Sequence, residues 1–550
     1  MNHQQRLHPR HTNDLSAWNE RFRHAAPVPQ RNSVVPRRTR LHEFVLAALL
    51  AAGMTPMAHA ADTRPCDTNA ESRDGAACVD KQAFRLPTIT VSATLNPRPL
   101  AEVAADVSVI DREDMDRHLV DSLRDLIRYE PGVSVTSTPG RYGQDGFSIR
   151  GLGGNRVRIE LDGVPVSDSY SFGSMLSSGR NTVDLDSIKR VEIVRGPASS
   201  LYGSDALGGV VSYVTKDPAD YLRAGRGHYL SLKGQYDTVD RGSATSATFA
   251  AGNARNGFMV LGTHREAAQP NNMGDVDSAD ASRTRPDPQR LLGNNLLVKY
   301  VHGADSDRID RITLDAQRDD TRTDLLSALN PTTRAMLGND RSKRERLSFG
   351  QTWNALDTWF ADRIEWTGWG QHSSADQHST ELRNTGPGYE RHVEESFTQR
   401  VFGLQLHAFK RVETAAVRHD FTWGVDGSRT RSEELRDGHA VNLTDGTSSK
   451  TTTGGNADNY PVRDFPPSDT TNAAFFVQDE IRLADGRLRL IPGVRYDHYR
   501  FAPRNDVLFD SLPLAEHVTG QTDHHVSPKL GVVWQFAEHF NTYAQFASGF

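Results

Sequence analysis

From about residue 228 onward, apolar and polar side chains alternate with a period of two, the pattern of a strand with one face against hydrocarbon or core. In 308–317, Ile312, Leu314 and Ala316 share one side, while Arg311, Thr313, Asp315 and Gln317 share the other. Thirteen such segments follow one another: 228–236, 243–251, 257–265, 293–302, 308–317, 345–355, 362–371, 396–411, 416–428, 473–483, 486–501, 526–536 and 541–550. Short turns near 253–256, 303–307, 357–362, 411–416, 484–486 and 537–539 alternate with long polar loops over 266–292, 318–344, 372–395, 429–472 and 502–525. Strands of about ten residues with turns at one end and loops at the other mark an outer-membrane antiparallel β-barrel. A soluble sandwich is the competing reading, and it rarely sustains this asymmetry through a long series of hairpins. Bacterial single-chain barrels have even strand numbers, and an open edge leaves unpaired backbone in lipid. The odd count therefore predicts that 228–550 is an incomplete barrel.

Residues 100–218 have a different texture, that of a compact α+β unit. Val107–Ile110 reads as a strand, Asp111 caps a helix through Arg117, and Asp121 opens a second helix through Arg128. Leu123, Leu126 and Ile127 fall on one face of that helix, which Pro131-Gly132 ends. Short strands are predicted over 133–135, 147–149, 157–161, 191–194 and 210–215. Residues 61–99 are polar and read as a flexible periplasmic segment. Within it, Thr88-Ile-Thr-Val-Ser-Ala-Thr94 is β-prone and bounded by Pro87 and by Asn96-Pro97-Arg98-Pro99, a form suited to pairing with a partner's sheet edge.

Phe44 to Met57 is the one long apolar run, too short for a helical span of about 20 residues. Arg37, Arg38 and Arg40 precede it and Ala58-His59-Ala60 follows, so residues 1–60 read as a cleaved signal peptide with a long lead. A short buried helix is the alternative. The mean hydropathy of −0.58 excludes a bundle of membrane helices but not a barrel, whose strands interleave both kinds of side chain. The net charge is −6, and eight arginines are concentrated in the first 60 residues. The remainder is acidic without a basic block, which excludes nucleic acid as a partner. The two cysteines, Cys66 and Cys78, lie just past the cleavage point, where an oxidising compartment favours a disulfide over free thiols.

No Gly-x-Ser-x-Gly elbow or His-Glu-x-x-His motif occurs, and Gly151-Leu-Gly-Gly-Asn-Arg156 lacks the third glycine of a dinucleotide fingerprint. The chain is not expected to be an enzyme or to carry a cofactor of its own.

Several runs in 100–218 go together: Leu126-Ile-Arg-Tyr-Glu-Pro-Gly-Val133, Phe147-Ser-Ile-Arg-Gly151, Arg158-Ile-Glu-Leu-Asp-Gly-Val164 and Ile188-Lys-Arg-Val-Glu-Ile-Val-Arg-Gly-Pro-Ala198. With Leu201-Tyr-Gly-Ser-Asp-Ala-Leu-Gly-Gly-Val210, they resemble the plug domain of TonB-dependent outer-membrane receptors. The resemblance implies a barrel of 22 strands with the plug folded inside its lumen. It implies a TonB box formed by Thr88, Ile89, Thr90, Val91, Ser92 and Ala93, and TonB with its inner-membrane energising complex as partner. Arg150, Glu192 and Arg195 would be enclosed by such a barrel and need partners on the wall or in the plug. They are read as plug-to-wall clamps rather than ligand contacts.

Val526-Ser-Pro-Lys-Leu-Gly-Val-Val-Trp534 and Tyr543-Ala-Gln-Phe-Ala-Ser-Gly-Phe550 resemble the haem and haemoglobin branch of that family. The branch implies haem, or haem from haemoglobin, as the transported ligand. It places a haem-ligating histidine in an outer loop that would follow Phe550. The plug loop Ser167-Asp-Ser-Tyr-Ser-Phe-Gly-Ser174 has no histidine, so Tyr170 becomes a candidate iron ligand, with aromatic packing as the alternative. Phe172, His524 and His525 are the other candidate ligand contacts, while His372, His378, His392 and His439 read as solvated loop residues. A ferric-siderophore receptor is the competing cargo assignment. A non-transporting surface binding protein or non-functional fragment is the competing class.

Overall fold

Thirteen strands pair each with the next to make the outer wall. They are β12 (His228–Tyr236), β13 (Ser243–Gly252), β14 (Asn256–Ala268), β15 (Gln289–His302), β16 (Arg308–Asp324), β17 (Thr333–Trp353) and β18 (Arg363–Arg383), followed by β19 (Tyr389–Glu413), β20 (Arg418–Asn442), β22 (Ser468–Leu483), β23 (Leu488–Pro503), β24 (Gln521–Ala537) and β25 (Phe540–Ala547). A two-residue strand, β21 (Ser448–Ser449), adds to β20, giving a sheet of 14 strands. Every wall pairing is antiparallel, and β12 and β25 each have a single neighbour among the described residues. This computed structural model describes residues 89–90, 94–138, 141, 143–172, 176–222, 225–386, 388–414, 417–451, 459–510, 518–537 and 540–549. All of these belong to one compact unit, Arg85–Phe550. The expected signal peptide, Cys66, Cys78, Thr88 and Val91–Ala93 lie outside the described residues.

The wall is inverted relative to a soluble protein. Leu347, Phe402, Leu404, Phe475 and Leu530 are exposed on its outer face, while Lys299, Asp315, Arg344, Arg346, Glu381, Glu395 and Glu434 are buried on its inner face. Such an apolar exterior is stable against lipid, and a polar interior needs a polar filling. Five of the wall strands exceed their expected lengths most. The expected loops at 318–344 and 372–395 are largely strand, and that at 429–472 is strand at both ends, because β16 to β20 run on to Asp324, Thr333, Arg383, Tyr389 and Asn442 and β22 starts at Ser468. Alternation of hydrophobicity disappears where both faces of a strand meet polar surroundings, as in Asn339-Asp-Arg-Ser-Lys-Arg-Glu345, yet the ladder continues through cross-strand pairs such as Arg318↔Lys343.

The filling is a five-stranded sheet in the order β3-β10-β11-β6-β7, built from β3 (Asp106–Asp111), β6 (Val157–Leu161), β7 (Val164–Pro165), β10 (Ile188–Arg195) and β11 (Gly209–Thr215). Helix α1 (Arg112–Arg117) starts at Asp111, whose carboxylate accepts from Asp114 N at 2.9 Å. Helix α2 is shorter than expected, Leu123–Leu126, and its cap is Ser122 rather than Asp121: the Ser122 hydroxyl accepts from Asp125 N at 3.2 Å. Met115, Leu123 and Leu126 close one face of the sheet over Ile159, Leu161, Val191, Ile193 and Tyr213. At the β6–β7 hairpin, Asp162 and Gly163 both have positive φ (52° and 79°), the left-handed backbone that an Asp-Gly pair tolerates in a tight two-residue turn.

Candidate functional site

At the short-turn end of the wall, the chain preceding the sheet is docked. Strand β1 (Ile89–Thr90) pairs with β2 (Arg98–Pro99). The buried Thr90 hydroxyl donates to Glu192 Oε2 at 2.7 Å, and Glu192, itself fully buried, pairs with Arg190 at 2.8 Å. Arg98 reaches the wall, with Nη2 3.1 Å from Asp420 and 3.3 Å from Glu480. Glu102 is held by Arg482 at 3.3 Å and Arg489 at 3.1 Å. Of the six candidate box residues, Ile89 and Thr90 are described: both pair with β2, and the Thr90 side chain reaches the plug.

The expected plug-to-wall clamps take plug partners instead. Arg150 pairs with Asp106 at 2.7 Å. Arg195 binds Glu130 at 2.5 Å, Asp106 at 3.2 Å, Ser108 Oγ at 2.9 Å and Pro131 O at 3.0 Å. Glu192 takes Thr90 and Arg190. For Glu192 and Arg195 the reason is sheet order: β10 lies between β3 and β11, so its side chains meet plug neighbours.

Other residues bridge to the wall. Arg141 grips Asp340 through Nε (2.9 Å) and Nη2 (2.6 Å) and donates to Ser379 Oγ at 2.7 Å. Lys233 pairs with Asp186 at 2.6 Å. Asp162 accepts from Thr215 N (2.9 Å) and Thr215 Oγ1 (2.7 Å) and faces Lys299 at 3.7 Å and Arg346 at 3.4 Å. Burial by itself would raise the Asp162 carboxyl; the two cations and the Thr215 donors outweigh it and hold it at about 2. The available sequence signal was the inward phase of Lys299 and Arg346 on their strands.

At the loop end of the wall, the hairpin β8 (Tyr170–Phe172) and β9 (Leu176–Ser178) is pinned by two wall glutamines. Gln399 exchanges hydrogen bonds with Asp168 (2.9 and 3.0 Å), and Gln377 with Ser177 (2.8 and 2.7 Å). These bonds set Tyr170 between Phe397, stacked at 4.8 Å, and Phe465, edge-on at 5.1 Å. Burial, then the nearby carboxylates Glu434, Asp464 and Glu395, push the Tyr170 phenol well above its ordinary value. Its two ring contacts make Tyr170 part of an aromatic cluster in this structure. Phe172 pairs with Leu176 across the same hairpin. Beside this platform Glu395 is 3% exposed, with neither carboxylate oxygen hydrogen-bonded. Phe397, Phe465 and Glu395 were missed from sequence because the segments bearing them read as loop or as ordinary strand.

The structure does not bring His524 and His525 together on one surface. Both sit on β24, where neighbours point to opposite faces. His524 shares the outer face with Val526 and Leu530 and meets Tyr496 Oη (2.7 Å) and His498 (3.2 Å). His525 shares the inner face with Ser527 and Lys529. His372, His378, His392 and His439 lie on strands rather than loops, with the last two rings stacked at 4.7 Å. Among the described residues no three His, Cys, Asp or Glu side chains are grouped as metal ligands.

A family model described as the TonB-dependent receptor plug domain matches residues 99–210, and one described as the TonB-dependent receptor-like β-barrel matches 269–550. The haemoglobin-haptoglobin utilization protein B of Neisseria meningitidis serogroup A is 25% identical over 544 residues, covering 86% of this chain and 63% of the relative. The haemoglobin and haemoglobin-haptoglobin-binding protein B of Haemophilus influenzae is 28% identical over 308 residues, covering 51% of this chain and 28% of the relative. This chain thus spans less than two thirds of either relative's length. Among solved structures, the unliganded ferric citrate transporter FecA superposes with a TM-score of 0.58 at 17% identity, covering 81% of this chain and 63% of that one. The Serratia marcescens hemophore receptor HasR, in complex with HasA and heme, gives 0.58 at 17%, covering 82% and 64%. At these identities the superpositions establish the fold. With the plug model and the barrel model matched in chain order on a plug-filled antiparallel wall, the chain belongs to the TonB-dependent receptor family, whose barrels lie in the outer membrane.

Proposed function

We propose that this receptor takes up haem, drawn from haemoglobin or a similar haem protein, across the outer membrane with energy delivered through TonB. The observation that carries the cargo is the 25% identity with a haemoglobin-haptoglobin utilization protein across 86% of the chain. The geometry supports it in two places. Strands β16 to β20 extend far past the apolar band, which makes a tall rim suited to docking a protein rather than a small chelate alone. Below the rim, the partly exposed rings of Tyr170 and Phe465, backed by the buried Phe397, form an aromatic cluster beside which a planar ligand can pack.

In this reading Thr88–Ala93 is the segment that TonB grasps, and the Thr90–Glu192 bond keeps it docked until cargo binds. A signal peptide over 1–60, a Cys66–Cys78 disulfide and a complete wall of 22 strands are further parts of the proposal. So is the division into a periplasmic segment (61–99), plug (100–218) and barrel (228–550). The experiment is growth of an iron-starved host on haemoglobin, with and without deletion of residues 88–93, alongside spectroscopic haem titration of the receptor. Growth lost on deletion with haem binding retained is the expected result. Growth on a ferric siderophore but not on haemoglobin would replace the cargo, and growth indifferent to the deletion would overturn TonB-driven transport.

A further inference from the structure

Three oxygen donors line up on the inner face of the wall. Thr263 on β14, Asn295 on β15 and Gln317 on β16 are direct cross-strand neighbours. All three line a cavity of about 840 Å³ between plug and wall. Thr263 is 7% exposed and Asn295 5%. The Asn295 amide nitrogen donates to Ala316 O at 3.4 Å, and the Gln317 amide nitrogen donates to Asp319 Oδ2 at 2.8 Å. Those bonds orient the amides and leave Asn295 Oδ1 and Gln317 Oε1 without hydrogen-bond partners, while the Thr263 hydroxyl faces the Asp184 carboxylate.

Two carboxylates complete the set. Asp184 of the plug lines the same cavity with Oδ2 unpartnered. Asp319 lies two residues beyond Gln317 and leans across β15: a Cβ on Gly293 would sit only 2.8 Å from Asp319 Oδ1. Gly293 is itself the cross-strand neighbour of Asp319 and is two residues from Asn295, so the carboxylate lies over β15 beside the row. Arg265, also on the cavity, is near enough to act electrostatically on both carboxylates but makes no direct ion pair with either among the described residues.

Buried acceptors without donors are costly. A water molecule donates only two hydrogens, and neutral oxygens beside two carboxylates make a poor site for anions. A hard cation reverses this, since calcium takes six to eight oxygens from carboxylates, amide carbonyls, hydroxyls and water in a flexible shell. Magnesium demands near-octahedral geometry and keeps most of its waters, which fits this mixed donor set less well. We propose that Asp184, Asp319, Asn295, Gln317 and Thr263 form a calcium site that bolts the plug to β14, β15 and β16. A bolt of this kind would set how readily that side of the plug parts from the wall, independently of what the receptor carries.

The test is isothermal titration of calcium chloride into the chain in lipopolysaccharide-free detergent micelles, since lipopolysaccharide itself binds calcium. One calcium per chain is expected. Asp184→Asn and Asp319→Asn should each weaken binding by about tenfold or more. Gly293→Ala removes no oxygen, yet it should also weaken binding by displacing Asp319. Absence of a one-to-one isotherm in the unaltered chain overturns the proposal, whether or not the aspartate variants fold. Binding undiminished in both aspartate variants also overturns it, by placing the ion elsewhere.

Discussion

Replacing Asp162 with asparagine removes the charge that two buried wall cations face while keeping the shape of the turn. Lys299 and Arg346 are 3% and 1% exposed at their side chains, so neither can turn to bulk water. The carboxyl sits at about 2 in the folded protein against 3.8 ordinarily. A depression of that size corresponds to about 2 kcal/mol of stabilisation, or roughly thirtyfold in an opening equilibrium. Lys299 keeps Asp217 at 3.2 Å and Arg346 keeps its hydrogen bond to Leu161 O, so neither cation is left without a partner and the loss stays near that size. Because the folded value lies below the unfolded one, this stabilisation is complete above about pH 4 and disappears as the pH falls through 2. The assay is amide exchange of the peptide carrying Thr215, whose N–H donates to Asp162 Oδ1 at 2.9 Å, followed by mass spectrometry at pH 7 and pH 3. Asp162→Asn should lose protection by at least about thirtyfold at pH 7, with a smaller gap at pH 3. Equal protection at pH 7 would refute the claim that this turn holds the plug to the wall.

Three other perturbations probe the two ends of the plug. Thr90→Val deletes a hydroxyl bonded to a buried carboxylate, a loss of about 1.5–3 kcal/mol, so limited proteolysis should cut the segment around residue 90 faster; an unchanged rate counts against docking by that bond. Arg141→Ala leaves Asp340 without its two-pronged partner and should lower the urea midpoint of plug release by an amount corresponding to about 3–5 kcal/mol, whereas an unaltered midpoint would make that contact incidental. Tyr170→Phe should leave haem affinity within about twofold, while Tyr170→Ala, which removes the ring stacked on Phe397, should weaken it about three- to tenfold; a large loss in the phenylalanine variant would instead make the tyrosine an iron ligand.

The periodic segments were legible because lipid leaves a one-sided hydrophobic record. All thirteen expected wall strands exist, and 228–236 and 157–161 match to the residue. The record ends where lipid ends, which is why the upper parts of β17 to β20 read as loops: their residues face polar surroundings on both sides and hold the ladder through backbone bonds. The candidate site was legible only in part. Tyr170 was identified, but Phe397 lies 227 positions away on β19, and Phe465 follows a further 68 on, so neither could be joined to it from sequence. His524 and His525 were paired as neighbours in sequence, yet adjacent residues of a strand point apart.

By itself, the sequence determined that the second part of the chain is a series of alternating strands with asymmetric connections, the pattern of a wall in lipid, and it carried the motifs through which residues 100–218 resemble a plug domain. Local chemistry sufficed there, because periodicity, caps and turns act over a few residues. Which charges meet was decided only by the tertiary structure. Arg195 takes Glu130, Asp162 takes Lys299 and Arg346, and Arg141 takes Asp340, over separations that no local pattern encodes. In a polar lumen nearly every position offers a charge or an amide, so composition cannot choose among partners; the strand register and the docking of the plug make that choice.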